Sequence, residues 1–373
     1  MRLVLHQGIP DDHTLAHQWD ELVQQMECPE VFYTYAWALA VSRAYGHSLS
    51  PLLMLGYEQD SLVGVASLAT NAGQARVVFL ASTTADYCDF VSRPESRRDF
   101  AELVFGELRR MKMPMSLANV SANSLTLQAL PVAAHLAGYS MFSRPAYRCA
   151  QVVLSSPAQR EAARQLVQQK QKLRKRLRAI AKIAPLEILH LRQWEKISAA
   201  LPAFEQAHIS RFLDSGRVSN LASDARRIFL AELAKLLSRR GWLNLTCLNV
   251  GDETAAWNYG FEFAASWFWY QPTFTSRFHQ HDPGLCLLTK IVEEACERPE
   301  INRVDLGLGA EGYKERFATG VRNTVDVTLT TSKARHIREV VRYHAVSAIK
   351  SSPQLEHYVR RLLGRTRPGE VHA

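Results

Sequence analysis

Three side chains with complementary chemistry stand close together late in the chain: Asp305, Tyr313 and Lys314. They belong to the stretch Val304-Asp305-Leu306-Gly307-Leu308-Gly309-Ala310-Glu311-Gly312-Tyr313-Lys314-Glu315-Arg316-Phe317. An apolar run ends in the carboxylate, glycines loosen the backbone, and the Tyr-Lys pair opens a predicted helix. Such a strand-to-helix corner presents an acid, a phenol and a cation to one ligand. An acid ending an apolar strand must be solvated, paired or functional. In group transfer, a base strips the proton from an attacking amine or hydroxyl, and a donor protonates the departing atom. Asp305 or Glu262 fits the first role and Tyr313 the second. An Asp305–Lys314 ion pair that only fixes the corner fits the same residues. Glu262 also suits a solvated strand exterior, because alternation in Tyr259-Gly260-Phe261-Glu262-Phe263 sets it opposite the aromatic face.

A second constellation precedes that corner. Phe278-His279-Gln280-His281-Asp282-Pro283-Gly284-Leu285 runs into an apolar helix whose start is marked by Pro and Gly. Orphan amides and the dipole of a helix N-terminus meet a pyrophosphate, which makes Gln280, His281, Pro283, Gly284 and Leu285 candidates for binding one. Asp282 as N-cap would compete for the same donors. His279 and His281 alternate in a loop with no third ligand nearby, so no metal is expected. Aromatic residues crowd two adjacent strands, as core and interstrand pairs or, at Trp269 and Tyr270, as a platform for a sugar ring. The six cysteines, without a CxxC pair, predict buried reduced thiols and supply no nucleophile motif.

The elements that must position these groups fall into two α/β units, since 373 residues exceed one ordinary domain. The first spans 1–150: helices over 11–27, 33–44, 98–111 and 124–137, a hairpin over 52–70, and strands over 75–80, 115–120 and 148–154. The second, 151–332, repeats that grammar. A long basic helix over 158–184 stops at Pro185 and a hairpin turns at Gly251-Asp252; a strand over 321–331 completes it. A basic helical tail, 333–373, follows, with Ile337, Val340, Val341, His344, Ala345 and Ala348 on one side and arginines opposite. This side suits either docking on the second unit or a membrane surface. The net charge of +9 comes from two places, 160–182 and the tail, each with nine basic residues. The first of these is a solvated face or a contact for anionic lipid, a phosphate-linked carrier or RNA. No apolar run nears the ~18 residues that span a bilayer, and Met1 to Pro10 lacks a signal-peptide core, so a cytoplasmic protein is expected.

In this order, the chain resembles the CelD/BcsL family of GNAT-like acyltransferases and the wider FemAB group, in which two such domains lie side by side. The resemblance rests on Trp19 and Leu22, Phe32 with Trp37, and Asp86-Tyr87 with Asp89. Later it rests on Lys172-Leu173-Arg174-Lys175-Arg176-Leu177, Phe212-Leu213-Asp214-Ser215-Gly216-Arg217, the Pro283-Gly284 helix start, and Asp305-Leu306-Gly307 followed by Gly312-Tyr313-Lys314. It implies an α/β (α+β) fold of two tandem GNAT-like domains with mixed, mostly antiparallel sheets flanked by helices. It further implies an acyl-CoA donor, most simply acetyl-CoA, a sugar or glycolipid acceptor met by Asp86, Tyr87, Trp269 and Tyr270, and a place in exopolysaccharide, cellulose or cell-envelope synthesis. Contact with the inner membrane or with synthesis machinery goes with that role. A FemAB-like transfer from aminoacyl-tRNA, or a non-catalytic scaffold, are the alternatives. Where the family's cofactor loop carries two small residues, this chain has a single glycine, Gly284.

Overall fold

In a computed structural model of the protein, residues 1–71, 76–309 and 311–351 are described. Residue 75 of the predicted strand, Ala310, and 352–373 of the predicted tail lie outside them. The first half comprises β1 (Arg2–His6), α1 (His13–Gln24), α2 (Tyr35–Tyr45), β2 (Leu49–Glu58), β3 (Ser61–Asn71), β4 (Val77–Phe79), β5 (Val91–Ser92), α3 (Arg97–Arg110), β6 (Met115–Ser121), α4 (Leu125–Leu136) and β7 (Ser140–Val153). Then follow α5 (Pro157–Gln169), α6 (Gln171–Ala181), β8 (Leu186–Leu191), α7 (Trp194–Asp214), α8 (Asp224–Ser238), β9 (Leu243–Val250), β10 (Glu253–Phe263), β11 (Ser266–Phe274), α9 (Pro283–Glu297), β12 (Arg303–Asp305), β13 (Gly320–Thr330) and α10 (Lys333–Ser351).

Local chemistry sets the helix starts. Asp12 accepts the Thr14 and Leu15 amides at 2.7 and 3.1 Å, and Thr34 accepts that of Trp37. The helix expected over 158–184 is broken at Lys170, whose backbone is extended. Ala163 and Val167 are buried on α5, Leu173 and Ile180 on α6. On one straight helix these two pairs would point about 110° apart, at 100° per residue. The break lets both face α9, against which α5 and α6 pack.

All strands join one mixed sheet in the order β1-β2-β3-β4-β6-β13-β7-β12-β11-β10-β9-β8, with β5 added to β3. The parallel pairs are β4–β6 and β11–β12. β13, expected to finish the second unit, instead lies between β6 and β7. It pairs with β7 from Gly320↔Gln151 to Thr330↔Ser140, and with β6 from Thr324↔Ser121 to Leu329↔Met115. Alternation explains the placement: Val327 and Leu329 enter the core of the first half. That core continues across to α7 and α8 through Trp37, whose ring meets Phe229, Phe261 and Tyr270 at 5.4–5.5 Å. A second core lies beneath α5, α6 and α9.

A buried charge cluster ties the halves together. Glu30 is fully enclosed and accepts from Arg303 of β12 at 2.8 Å and from Arg322 of β13. Arg322 in turn lies 3.9 Å above the Tyr87 ring. Removing the one acid would leave two guanidiniums desolvated without a counter-charge. Glu30→Gln is therefore expected to destabilise the protein by ~3–5 kcal/mol in urea unfolding, far beyond the ~0–1 kcal/mol of an exposed pair. A loss within that smaller range would show that the cluster is not what joins the halves.

Candidate active site

The parallel pairing of β11 with β12 runs Ser266↔Arg303, Trp267↔Val304, Phe268↔Asp305 and stops. β12 ends there, while β11 continues to Phe274. Beyond Asp305 the chain veers off through Gly307 and Gly309, whose φ angles of +69° and +115° favour glycine. The strands thus part, and a cavity of about 790 Å³ opens between the far half of β11, the end of α7 and the 308–314 loop.

Tyr313 and Lys314 line this cavity; Asp305 does not. Asp305 is fully buried and accepts from Tyr87 Oη at 2.9 Å, Gln151 Nε2 at 2.7 Å and the Gly307 amide at 2.8 Å. Its expected partner Lys314 pairs instead with Glu311 at 3.0 Å and donates to the Leu308 carbonyl. The helix predicted from Tyr313 is only a 3-10 turn, Lys314–Arg316, because β13 begins at Gly320. The Tyr313 hydroxyl accepts from Trp269 Nε1 at 3.0 Å, and burial raises its pKa.

Asp86, expected to meet the acceptor, does not line the cavity but lies against the same loop. A Cβ on Gly307 would come within 2.3 Å of Asp86 Oδ2, so only glycine permits the approach. Burial, then the charge of Asp305, lifts the Asp86 pKa to about 7, against the pull of Lys314 and the Leu308 amide. Tyr87 likewise does not line the cavity and is wholly buried on Asp305.

Trp269 and Tyr270 do line it, with their polar atoms engaged. Tyr270 Oη donates to the Thr84 carbonyl at 2.5 Å and accepts from Arg226 at 2.8 Å. Arg226 also donates to Gln271 Oε1, and Gln271 Nε2 donates to His208 Nε2 at 2.7 Å. The remaining His208 nitrogen therefore carries the proton, directed to Ser219 Oγ at 2.8 Å. Burial depresses the His208 pKa to about 3, so the ring stays neutral. His208, Arg211, Arg217 and Gln271 are wall residues that the sequence reading missed. The signal available was His208, Arg211 and Phe212 at helical spacing on one face of α7.

Two expected groups sit elsewhere. Glu262 is clasped by Arg192 at 2.6 Å, Arg298 at 2.7 Å and Asn244 at 2.7 Å, and none of these lines the cavity. Despite burial, hydrogen bonds from Arg298 and Arg192 bring its pKa to about 2, which suits an ion pair better than a base. Gln280, His281, Pro283, Gly284 and Leu285 do not line the cavity either, although His279 does. Asp282 has left-handed backbone, φ 48°, and its side chain pairs with Arg176 instead of capping α9. Pro283 lacks an amide hydrogen, and those of Leu285 and Cys286 bond to the Asp282 carbonyl. Gly284 is left as the one amide of the first turn open to an anion. No cluster of three potential metal ligands occurs among the described residues.

Residues 167–315 match the acetyltransferase (GNAT) domain family. The chain carries an acyltransferase domain of the GNAT type. Solved structures similar to the whole chain include FemX, at 9% identity, TM-score 0.61, covering 91% of this chain and 100% of that one. L-PGS from Bacillus licheniformis follows at 11% identity and TM-score 0.56, covering 90% and 98%. A protein of unknown function from Bacteroides thetaiotaomicron has 10% identity and TM-score 0.59, covering 87% and 100%. At such identities the likeness is one of fold: a mixed sheet flanked by helices, in FemX-like arrangement. No curated protein matches the sequence. Within the GNAT domain, the matched span contains the cavity walls from α7, β11 and the loop up to Lys314.

The raised Asp86 pKa makes stability depend on pH. Between about pH 4 and 7 the folded state keeps a proton that the unfolded chain releases, so stability falls as pH rises through this window. Asp86→Asn should flatten that slope, leaving the smaller part due to Asp20, whose pKa burial raises to about 6, and be more stable than wild type at pH 8 by of order 1–4 kcal/mol. Urea unfolding across pH 4–8 measures it; parallel pH profiles would show that Asp86 titrates normally.

Proposed function

We propose that the protein transfers an acyl group from an acyl-CoA, most simply acetyl-CoA, to an amine or hydroxyl of a sugar or glycolipid, in the cavity beside Tyr313. The observation that carries this reading is the parting of β11 from β12, which opens a strand edge beside the Tyr313 phenol, with the Asp86 carboxyl behind Gly307 of the same loop. The GNAT match implies the thioester donor. As the acceptor nitrogen or oxygen attacks the thioester carbon, its proton passes through a water to Asp86 behind Gly307. The carbon–sulfur bond breaks, and Tyr313, fixed by Trp269, protonates the departing thiolate. Asp305 positions this machinery through Tyr87 and the Gly307 amide. Direct transfer fits the cysteines: none lines the cavity, and burial raises the thiols of Cys149, Cys247 and Cys286 to about 12. The CelD/BcsL resemblance supports an acceptor from envelope polysaccharide synthesis.

Two surface features refine the reading. Lys172, Arg174, Lys175, Arg178 and Lys182 are exposed along α6, which favours aminoacyl-tRNA as the alternative donor. α10 turns its apolar stripe outward: Ile337 and Val341 are 60% and 59% exposed, while Tyr343 packs on Phe142. Lys333, Arg335 and Arg338 flank the stripe in solvent. An apolar ridge flanked by these cations suits an anionic membrane surface, and we propose that the enzyme works there peripherally. No helix among the described residues is long and apolar enough to cross a membrane.

Thiol release from acetyl-CoA, with a panel of amino sugars and glycolipids as acceptors, tests the reaction. Tyr313→Phe and Asp86→Asn should each lower kcat ~10²-fold or more, and Tyr313→Phe should stay folded, losing about 1 kcal/mol with the Trp269 hydrogen bond. Full activity in Tyr313→Phe would remove it as the acid. Product formed only when charged tRNA replaces acetyl-CoA would favour the alternative. In vesicle sedimentation, binding should require phosphatidylglycerol and fade in high salt. It should be lost in Ile337→Glu/Val341→Glu, and equal binding to neutral vesicles would refute the membrane role.

A further inference from the structure

One end of the cavity holds two guanidiniums without a carboxylate partner. Arg211 stands in the last turn of α7, and Arg217 lies just past its end. Gly216, at φ +66°, reverses the chain: its amide bonds to the Leu213 carbonyl at 2.8 Å and that of Arg217 to the Phe212 carbonyl at 2.9 Å. This helix-ending turn carries Arg217 back over Phe212. The guanidinium carbons of Arg211 and Arg217 lie 5.0 and 4.8 Å from the centre of that one ring, and Arg211 also lies 5.2 Å from the Phe274 ring. His208 stacks on Phe212 at 4.7 Å. Aromatic rings thus hold both cations in place without neutralising them.

Of the acids that line the cavity, Glu311 pairs with Lys314 and Asp214 accepts from the Ser276 hydroxyl, and neither forms an ion pair with Arg211 or Arg217. Arg217 donates Nε to Ser215 at 3.0 Å, whereas Arg211 Nε is buried with no partner at all. A desolvated cation with an unmet donor is unfavourable unless an anion completes it. Meanwhile the start of α9, where the sequence pointed to pyrophosphate binding, offers one open amide and is faced by the Asp282–Arg176 pair.

We propose that Arg211 and Arg217 form the phosphate-binding end of this cavity and take the diphosphate of a substrate bound in it. Two fixed guanidiniums match two negative charges; a lone carboxylate would leave one of them unmet. The diphosphate belongs either to the CoA donor or to an acceptor of the nucleoside- or lipid-diphosphate sugar class. The proposal rests on the cavity being the transfer site, and it moves phosphate recognition from the start of α9 to the end of α7.

Inorganic pyrophosphate is the probe, titrated calorimetrically at constant ionic strength into wild type, Arg211→Gln, Arg217→Gln, the double variant and Arg211→Lys, with melting curves to establish folding. Wild type should bind pyrophosphate and not acetate. Each Gln variant should weaken binding about tenfold or more, with Arg211→Lys in between because it keeps the charge and loses the fork. CoA and a nucleoside-diphosphate sugar are then titrated into the same proteins. The one whose Kd moves with Arg211 and Arg217 carries the diphosphate. Folded wild type that ignores pyrophosphate, or a folded double variant that binds it equally well, overturns the proposal. Thioester turnover with CoA and sugar affinities unmoved by the substitutions would sink this subsite and leave the acyl-transfer reading standing. Arginine-dependent pyrophosphate binding without any turnover would do the reverse.

Discussion

The pairing of β13 along the length of β7 is the constraint on which the rest depends. It turns two half-sheets into one and sets β12 against the last residues of β7. With β12 fixed there, Asp305 faces Gln151, and the chain must leave the sheet one residue later. Everything that forms the cavity's mouth follows from this exit. Had β12 continued beside β11, the edge from Trp269 to Phe274 would be paired and no cavity would open.

Charge in this region is arranged in tiers. Deepest are Asp305, which accepts three hydrogen bonds, and Glu30, which accepts from two arginines, the two acids joined through Tyr87 and Arg322. Next comes Asp86, close enough to Asp305 to hold its proton near neutrality. Outermost are Lys314 with Glu311 and the two arginines on Phe212. The inner tier gives rigidity, the middle a proton to exchange, and the outer a way to meet charge on a ligand.

Much of this was legible in the chain. The hairpin at Gly251-Asp252, the start of α9 at Pro283 and the strand ending at Asp305 were all visible locally. What could not be read were facts of distance. Asp305 looks like a base until Tyr87 and Gln151, remote in sequence, are seen to enclose it. Glu262 alternates as an outward residue, yet Arg192 and Arg298 converge on it. Strand alternation gives β13 a buried face but not a neighbour, and its neighbour proved to be the first half. The break at Lys170 was latent in the phase of the apolar residues, which a basic composition obscured.

The central position of β13 also governs the order in which the molecule can form. Its partner β6 is complete by Ser121, but the strand that covers it begins only at Gly320. During synthesis the first half therefore waits, with the facing edges of β6 and β7 unpaired, until nearly the whole chain has emerged. The fold closes late and at its middle. A ribosome that stalls before residue 320 releases two open sheet edges instead of an independent domain, and such edges are where chains aggregate or recruit a chaperone.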